Sequence, residues 1–103
     1  MLRYRDAFDN PLAVGDVVIR QQNNCSLSPF QIVEFSERMM YLDYLSFDFV
    51  TRNLCYVYDA GQREGNRSAR RGIRCDDYDG EGVFWRVIKM PRNYYVAIIE
   101  RPK

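Results

Sequence analysis

Apolar and polar residues alternate in short runs along the first sixty residues of this chain, with turn-forming residues between the runs. Period-two alternation places successive side chains on opposite faces of an extended strand, so it predicts β-structure. The runs that predict strands cover residues 17–20, 30–35, 39–44, 47–51 and 54–58. Together with the apolar C-terminal region, they indicate an all-β domain of about six strands.

The polar break Ser36-Glu37-Arg38 separates the second run from the third. Since so short a break suits a tight turn, these two strands are expected to pair as a hairpin. The alternative is a helix over residues 38–49, where several apolar residues also fall near helical spacing. Its start would have only Ser36 as a weak N-cap.

The longest apolar region covers residues 83–90 and 94–100, with Pro91 and Asn93 between its two parts. Both parts are rich in β-branched and aromatic residues, and Pro and Asn favour a turn, so the pattern predicts a second hairpin. Both faces of its first arm are mostly apolar, which indicates a sheet covered on both sides or curled around a core. Trp85 is expected to lie in that core.

Residues 59–82 differ from the rest, because they hold five of the six glycines and only Ile73 and Tyr78 as bulky apolar residues. Such a composition buries little surface. We therefore expect one domain over residues 1–103, either a small SH3-like barrel or a curled antiparallel sheet, interrupted by a flexible charged insertion at 59–82.

Composition narrows the classes of function. A chain of 103 residues with 47% hydrophobic residues is long enough for one globular core. No apolar run reaches the length of a membrane span, and the N-terminus lacks the apolar core of a signal peptide, so we expect a cytoplasmic protein that binds no membrane. The three cysteines are odd in number and widely separated, so they match neither a disulfide framework nor a metal-ligand spacing. The chain has no histidine, which is the commonest general base in enzymes. We expect no enzyme activity, no metal and no cofactor.

Charge is concentrated in the glycine-rich segment, where an arginine-rich part precedes the acidic run Asp76-Asp77-Tyr78-Asp79-Gly80-Glu81. Arginine pairs carboxylates and phosphates through a planar fork, so these side chains are candidates for binding a protein or a nucleic acid. The acidic neighbours weaken the nucleic-acid interpretation, and a solvated loop without function is a further alternative. The candidate arginines are Arg63, Arg67, Arg70, Arg71 and Arg74.

Tyrosine is abundant, with eight residues in this small domain. Most of the aromatic residues should be core, but eight buried hydroxyl groups are hard to satisfy, so some tyrosines should lie at the surface. Tyrosine and arginine dominate the energetics of many protein interfaces. We therefore add Tyr78 and Tyr94 to the candidate binding residues.

The run Val14-Gly15-Asp16-Val17-Val18-Ile19, followed by Ile32-Val33-Glu34-Phe35, resembles the start of SH3-like barrels of the KOW and Tudor type. The glycines that a KOW unit has between its first two strands are missing, so no RNA or polymerase contact transfers to named positions. In size and residue usage, the chain also resembles short bacteriophage accessory proteins, many of which bind a host factor. These resemblances imply a small binding module.

The sequence as a whole favours a non-enzymatic module that binds and modulates a protein partner through arginine and tyrosine side chains. The alternative is an RNA- or DNA-binding barrel, in which the arginine-rich loop holds phosphates and an exposed tyrosine stacks on bases.

Overall fold

A computed structural model describes residues 4–21, 26–65, 70–73 and 77–101 of the chain. Strands predominate, as their residue patterns predict. In chain order the elements are β1 (Val17–Gln21), β2 (Leu27–Ser36), β3 (Met39–Phe47), β4 (Leu54–Tyr56), α1 (Ala60–Gly65), β5 (Arg70–Ile73), β6 (Val87–Lys89), a 3-10 helix (Arg92–Tyr94) and β7 (Ile98–Ile99).

The strands form one sheet in the order β6-β1-β2-β3-β4-β7, and β5 pairs with β3 beside this path. All pairs are antiparallel except β4 with β7, which is parallel. The predicted all-β class is confirmed. The sheet is mixed, however, and within the described residues its two end strands, β6 and β7, do not pair to close a barrel.

The β2–β3 hairpin is confirmed. Ser36 pairs with Met39, so the turn consists of two polar residues, and the alternative helix over residues 38–49 is wrong. The register shifts between Ile32 and Glu34, which marks a bulge in β2. A bulge bends the strand and increases its local twist, so it helps the sheet to curl.

Apolar side chains pack on both faces of the sheet. Neighbouring residues of β1 point in opposite directions, and Val18 joins a first core cluster with Phe30, while Val17 joins a second with Leu54. The first cluster also contains Leu12, Ile32, Met40, Leu42, Ile73, Tyr78, Phe84 and Val87, and the second Leu45, Met90 and Tyr95. The sheet is therefore covered on both sides.

The predicted C-terminal hairpin is wrong. Its first arm contributes only β6, which pairs with β1, and its second contributes only β7, which pairs with β4. Met90 and Tyr95, in the chain between these two strands, are buried in the second cluster. The linking segment thus packs across a core instead of turning back on itself. Trp85 is 48% exposed, so its expected place in the core is also wrong.

Residues 59–82 contribute their two bulky apolar side chains to the core. Ile73 in β5 and Tyr78 are 1% and 8% exposed. A Cβ atom at Gly72 would lie 2.6 Å from Cε of Met39, so the end of the Met39 side chain lies directly against this glycine. The predicted flexibility of the segment stays a prediction.

The N-terminal segment covers the outer edge of β6. Asp6 is fully buried, and its carboxylate accepts hydrogen bonds from the backbone N–H groups of Phe8, Asn10 and Lys89 and from the Asn10 amide. The backbone N–H of Ala7 donates to the carbonyl of Val87. Burial alone would raise the pKa of Asp6, but these hydrogen bonds hold it below its ordinary value.

Candidate binding surface

A tight turn after β3 carries exposed apolar side chains into solvent. The Asp48 carboxylate accepts backbone hydrogen bonds from Thr51 and Val50, and these bonds lower its pKa. The N–H of Arg52 donates to the carbonyl of Asp48 at 2.7 Å, and Arg52 has a φ of 61°, in the left-handed region. Phe49 and Val50 lie at the tip, 81% and 92% exposed.

The turn is attached to the segment before β7. The N–H of Val96 donates to the carbonyl of Arg52 at 2.8 Å, and the Arg52 guanidinium donates to the carbonyl of Tyr94 at 2.7 Å. The same guanidinium lies 5.2 Å from the centre of the Tyr94 ring. Two regions about forty residues apart in sequence are thereby held as one surface.

Three rings meet on this surface. Phe47 packs edge-on against Phe49, with 4.9 Å between ring centres, and stacks on Tyr94 at 5.4 Å. Beside them is an open groove of about 270 Å³, which we call the aromatic groove. It is lined by Ile19, Leu27, Ser28, Pro29, Phe47, Phe49, Met90 and Tyr94. Leu27, at its rim, is 71% exposed.

Two arginines near the aromatic groove carry charge that no described carboxylate pairs. Arg52 is one of them. The other, Arg92, donates to the backbone carbonyls of Tyr95 and Val96 at 2.9 and 3.3 Å and lies 4.6 Å from the centre of the Tyr95 ring. Carbonyl oxygens and rings thus hold both guanidinium groups in place, and no carboxylate of the described residues compensates their positive charge.

Arg63 is in the opposite situation. Its guanidinium lies 3.7 Å from the centre of the Tyr56 ring, donates to Glu100 at 2.6 Å and lies 3.7 Å from Asp43. It also donates to the Tyr58 carbonyl at 2.6 Å. The hydrogen bond to Glu100 raises the pKa of Arg63 and lowers that of Glu100. The Arg63 side chain is only 12% exposed, so it ties α1 to the sheet.

The three predicted site residues whose side chains are described lie in different parts of the fold. Tyr94 lines the aromatic groove, whereas Tyr78 is buried in the first cluster against Phe84, and no described group pairs with its hydroxyl. The charge of Arg63 is paired internally. Of the other candidates, Arg70 and Arg71 are placed only as backbone positions of β5, and Arg67 and Arg74 lie outside the described residues.

The described part of the acidic run is used internally. Asp77 is buried, with its carboxylate 2.8 Å from the Arg20 guanidinium and 3.3 Å from that of Arg86. Asp79 accepts hydrogen bonds from the backbone of Glu81 and Val83, which lower its pKa. Within the described residues, no three metal-ligating side chains of the His, Cys, Asp and Glu types lie together.

Sequence reasoning missed Phe49, Arg52 and Arg92 as surface residues. A signal was present for the first, because Phe49-Val50 directly precedes the polar run Thr51-Arg52-Asn53. Apolar residues next to such a run fall at a turn, where they are hard to bury. For the two arginines, the deciding fact is which carboxylates lie nearby in space, and the sequence does not give it.

Comparison with protein-family models, with curated proteins and with solved structures finds no match for this chain. In the part of the chain that the structure describes, no helix has the length and apolar character needed to cross a bilayer.

Proposed function

We propose that this protein is a non-catalytic module that binds another protein through the aromatic groove. The observation that carries the proposal is the group of exposed apolar side chains around the groove, on a turn and a segment that hydrogen bonds hold in place. Large apolar side chains that are exposed together mark interaction sites more often than scattered ones do.

The composition of the surface supports the same function. Aromatic and arginine side chains are over-represented among the residues that contribute most to protein interfaces, and Phe49, Tyr94 and Arg52 are of these types. Because the turn is already ordered, binding would order fewer groups than a flexible loop requires.

The nucleic-acid alternative stays a prediction, because it depends on arginines whose side chains are not described. Two observations weaken it. Arg63 already has two carboxylate partners. The Tyr94 ring already packs against Phe47 and the Arg52 guanidinium, which leaves less of it for a base to stack on. The resemblances to SH3-like barrels and to bacteriophage accessory proteins also stay predictions.

The test compares two phenylalanines with similar exposure. Phe49 lines the groove, and Phe8, 71% exposed on the N-terminal segment, does not. Wild type, Phe49→Ala and Phe8→Ala are immobilised and exposed to lysate of the native cell, once untreated and once treated with nuclease. A protein captured in stoichiometric amount is then purified, and its affinity for each variant is measured.

We expect the Phe8→Ala variant to bind like wild type and Phe49→Ala to bind about thirtyfold more weakly, the effect of losing an interface hot spot. Equal binding by the three proteins, or recovery of nucleic acid alone before nuclease treatment, would contradict the proposal.

A further inference from the structure

A second depression adjoins the aromatic groove. It has a volume of about 410 Å³, and we call it the basic hollow. It is lined by Asn10, Pro11, Lys89, Met90, Pro91 and Arg92. Met90, which is 5% exposed, lines both depressions, so the two lie next to each other.

The two cations of the basic hollow are not equivalent. The Lys89 ammonium lies 3.4 Å from the Asp16 carboxylate and donates to the Pro11 carbonyl, so its charge is already compensated. Arg92 has no such partner among the described carboxylates. Its two bonds to backbone carbonyls use only part of the five N–H donors of a guanidinium, so donors remain for a ligand.

Arg52 places a second charge that no described carboxylate pairs beside the aromatic groove, over the Tyr94 ring that lines it. The surface therefore combines the apolar lining of the aromatic groove with the positive charges of Arg52 and Arg92. A guanidinium that is already held in place loses little freedom when it binds a carboxylate, and a charged hydrogen bond is stronger than a neutral one.

We propose that the aromatic groove and the basic hollow together bind one extended segment of a protein partner, in which apolar side chains stand next to an acidic residue. The apolar side chains fill the groove, and the carboxylate pairs with Arg92 or Arg52. This inference rests on the proposed function and adds to it the chemistry of the bound segment. The aliphatic lining residues Ile19, Leu27 and Met90 favour the apolar side chains of a peptide over a sugar-phosphate backbone.

The experiment selects ligands from a displayed library of random dodecapeptides. One target is the wild-type protein, and the other is the Arg52→Glu/Arg92→Glu variant. The control, Arg38→Glu/Arg101→Glu, has the same net charge but changes two exposed arginines that do not line either depression. Urea unfolding first confirms that all three proteins are folded.

Wild type and control are expected to select peptides with Asp or Glu beside large apolar residues. The charge-reversed variant should bind these peptides at least about tenfold more weakly and select Lys or Arg instead. Replacing the acidic residue of a selected peptide by its amide should weaken binding to wild type by about the same factor, and added salt should reduce the difference.

The remaining outcomes separate this inference from the proposed function. Apolar peptides without an acidic preference, whose binding Phe49→Ala abolishes, would overturn the acidic-segment inference and leave the proposed function standing. Peptides that bind Phe49→Ala and wild type equally would overturn both. Concentration-dependent self-association that blocks the groove would identify a second copy as its occupant and would likewise overturn the inference.

Discussion

Two arginine–tyrosine sites of this protein contain the same chemical pair in opposite settings. At α1, Arg63 lies over Tyr56 with Asp43 and Glu100 as ion-pair partners, and its side chain is nearly buried. At the aromatic groove, Arg52 lies over Tyr94, and its one side-chain hydrogen-bond acceptor among the described residues is a backbone carbonyl. The first arrangement joins two parts of the fold, and the second leaves charge at the surface.

The comparison shows that the neighbouring carboxylates decide what an arginine on a ring can do. A paired, desolvated guanidinium is costly to remove, because its carboxylate partners lose their counter-charge. An unpaired one at the surface adds little stability, and its charge is free to meet a ligand. Each site should therefore respond differently to mutation, pH and an added carboxylate.

The largest effect is expected from Arg63→Ala. Removing one member of a buried ion pair leaves Asp43, 5% exposed, without this counter-charge, and we expect a loss of about 3 kcal/mol in the free energy of unfolding. This lies at the low end of such losses because Glu100 is 57% exposed. Arg92→Ala should lose less than about 1 kcal/mol. Urea unfolding measures both losses. Equal losses would contradict the conclusion that the paired arginine contributes more to stability than the unpaired one.

The pH dependence of stability should also distinguish the two sites. The folded-state pKa of Glu100 is lowered by Arg63, so this pair stabilises the protein fully above the ordinary value of 4.5 and is lost as pH falls through the lowered value. The stability difference between wild type and Glu100→Gln should thus be constant from pH 7 to about 5 and shrink below that.

Urea midpoints at pH 7 and pH 3 test this, with Arg92→Ala as the reference. Since Arg92 has no described carboxylate partner, the difference in stability between wild type and Arg92→Ala should not change over the same pH range. A Glu100→Gln difference that stays constant down to pH 3 would show that the ion pair adds nothing to stability.

Arg92, which lies over the Tyr95 ring, also has no ion-pair partner among the described carboxylates, and a carboxylate introduced beside it should make its setting resemble that of Arg63. Val96 is 61% exposed, and its carbonyl already accepts a hydrogen bond from Arg92. In Val96→Glu, the new side chain is expected to pair with that guanidinium and to weaken the binding of acidic peptides about fivefold, whereas Val96→Gln should not. Peptide titrations measure this, and equal affinities for the two variants would contradict it.

The smallest effect on stability is expected at the tip of the turn. Phe49→Ala should change the free energy of unfolding by no more than about 0.5 kcal/mol, because the side chain is 81% exposed. Phe8→Ala should behave alike in the same urea experiment. A large loss for Phe49→Ala alone would show that its ring supports the fold rather than a ligand.

Local patterns predicted the fold where strands pair with their sequence neighbours. The β2–β3 hairpin follows from alternation and a short polar break, both of which can be read within twenty residues. The C-terminal arms were paired wrongly because their partners, β1 and β4, lie far away in the chain. Competition between near and distant partners depends on packing, which a local pattern does not contain.

The candidate site shows the same limit. Tyr94 was predicted from composition, and it lines the aromatic groove. Arg63 was predicted for its charge, which the fold pairs with Asp43 and Glu100. The burial of an apolar residue in a charged segment was also underestimated, since Tyr78 is buried although its neighbours in sequence are charged. Residue type identified the kinds of group involved, but their exposure and pairing depend on tertiary contacts.

The covering of β6 by the N-terminal segment has a consequence for self-assembly. An uncovered strand edge is a template on which other chains can add, and repeated addition builds fibrils. Here the carboxylate of Asp6 and the N–H of Ala7 occupy the outward groups of Lys89 and Val87. These contacts leave the outward groups of Lys89 and Val87 unavailable for pairing with the strand of another chain, and one buried acid supplies part of that cover.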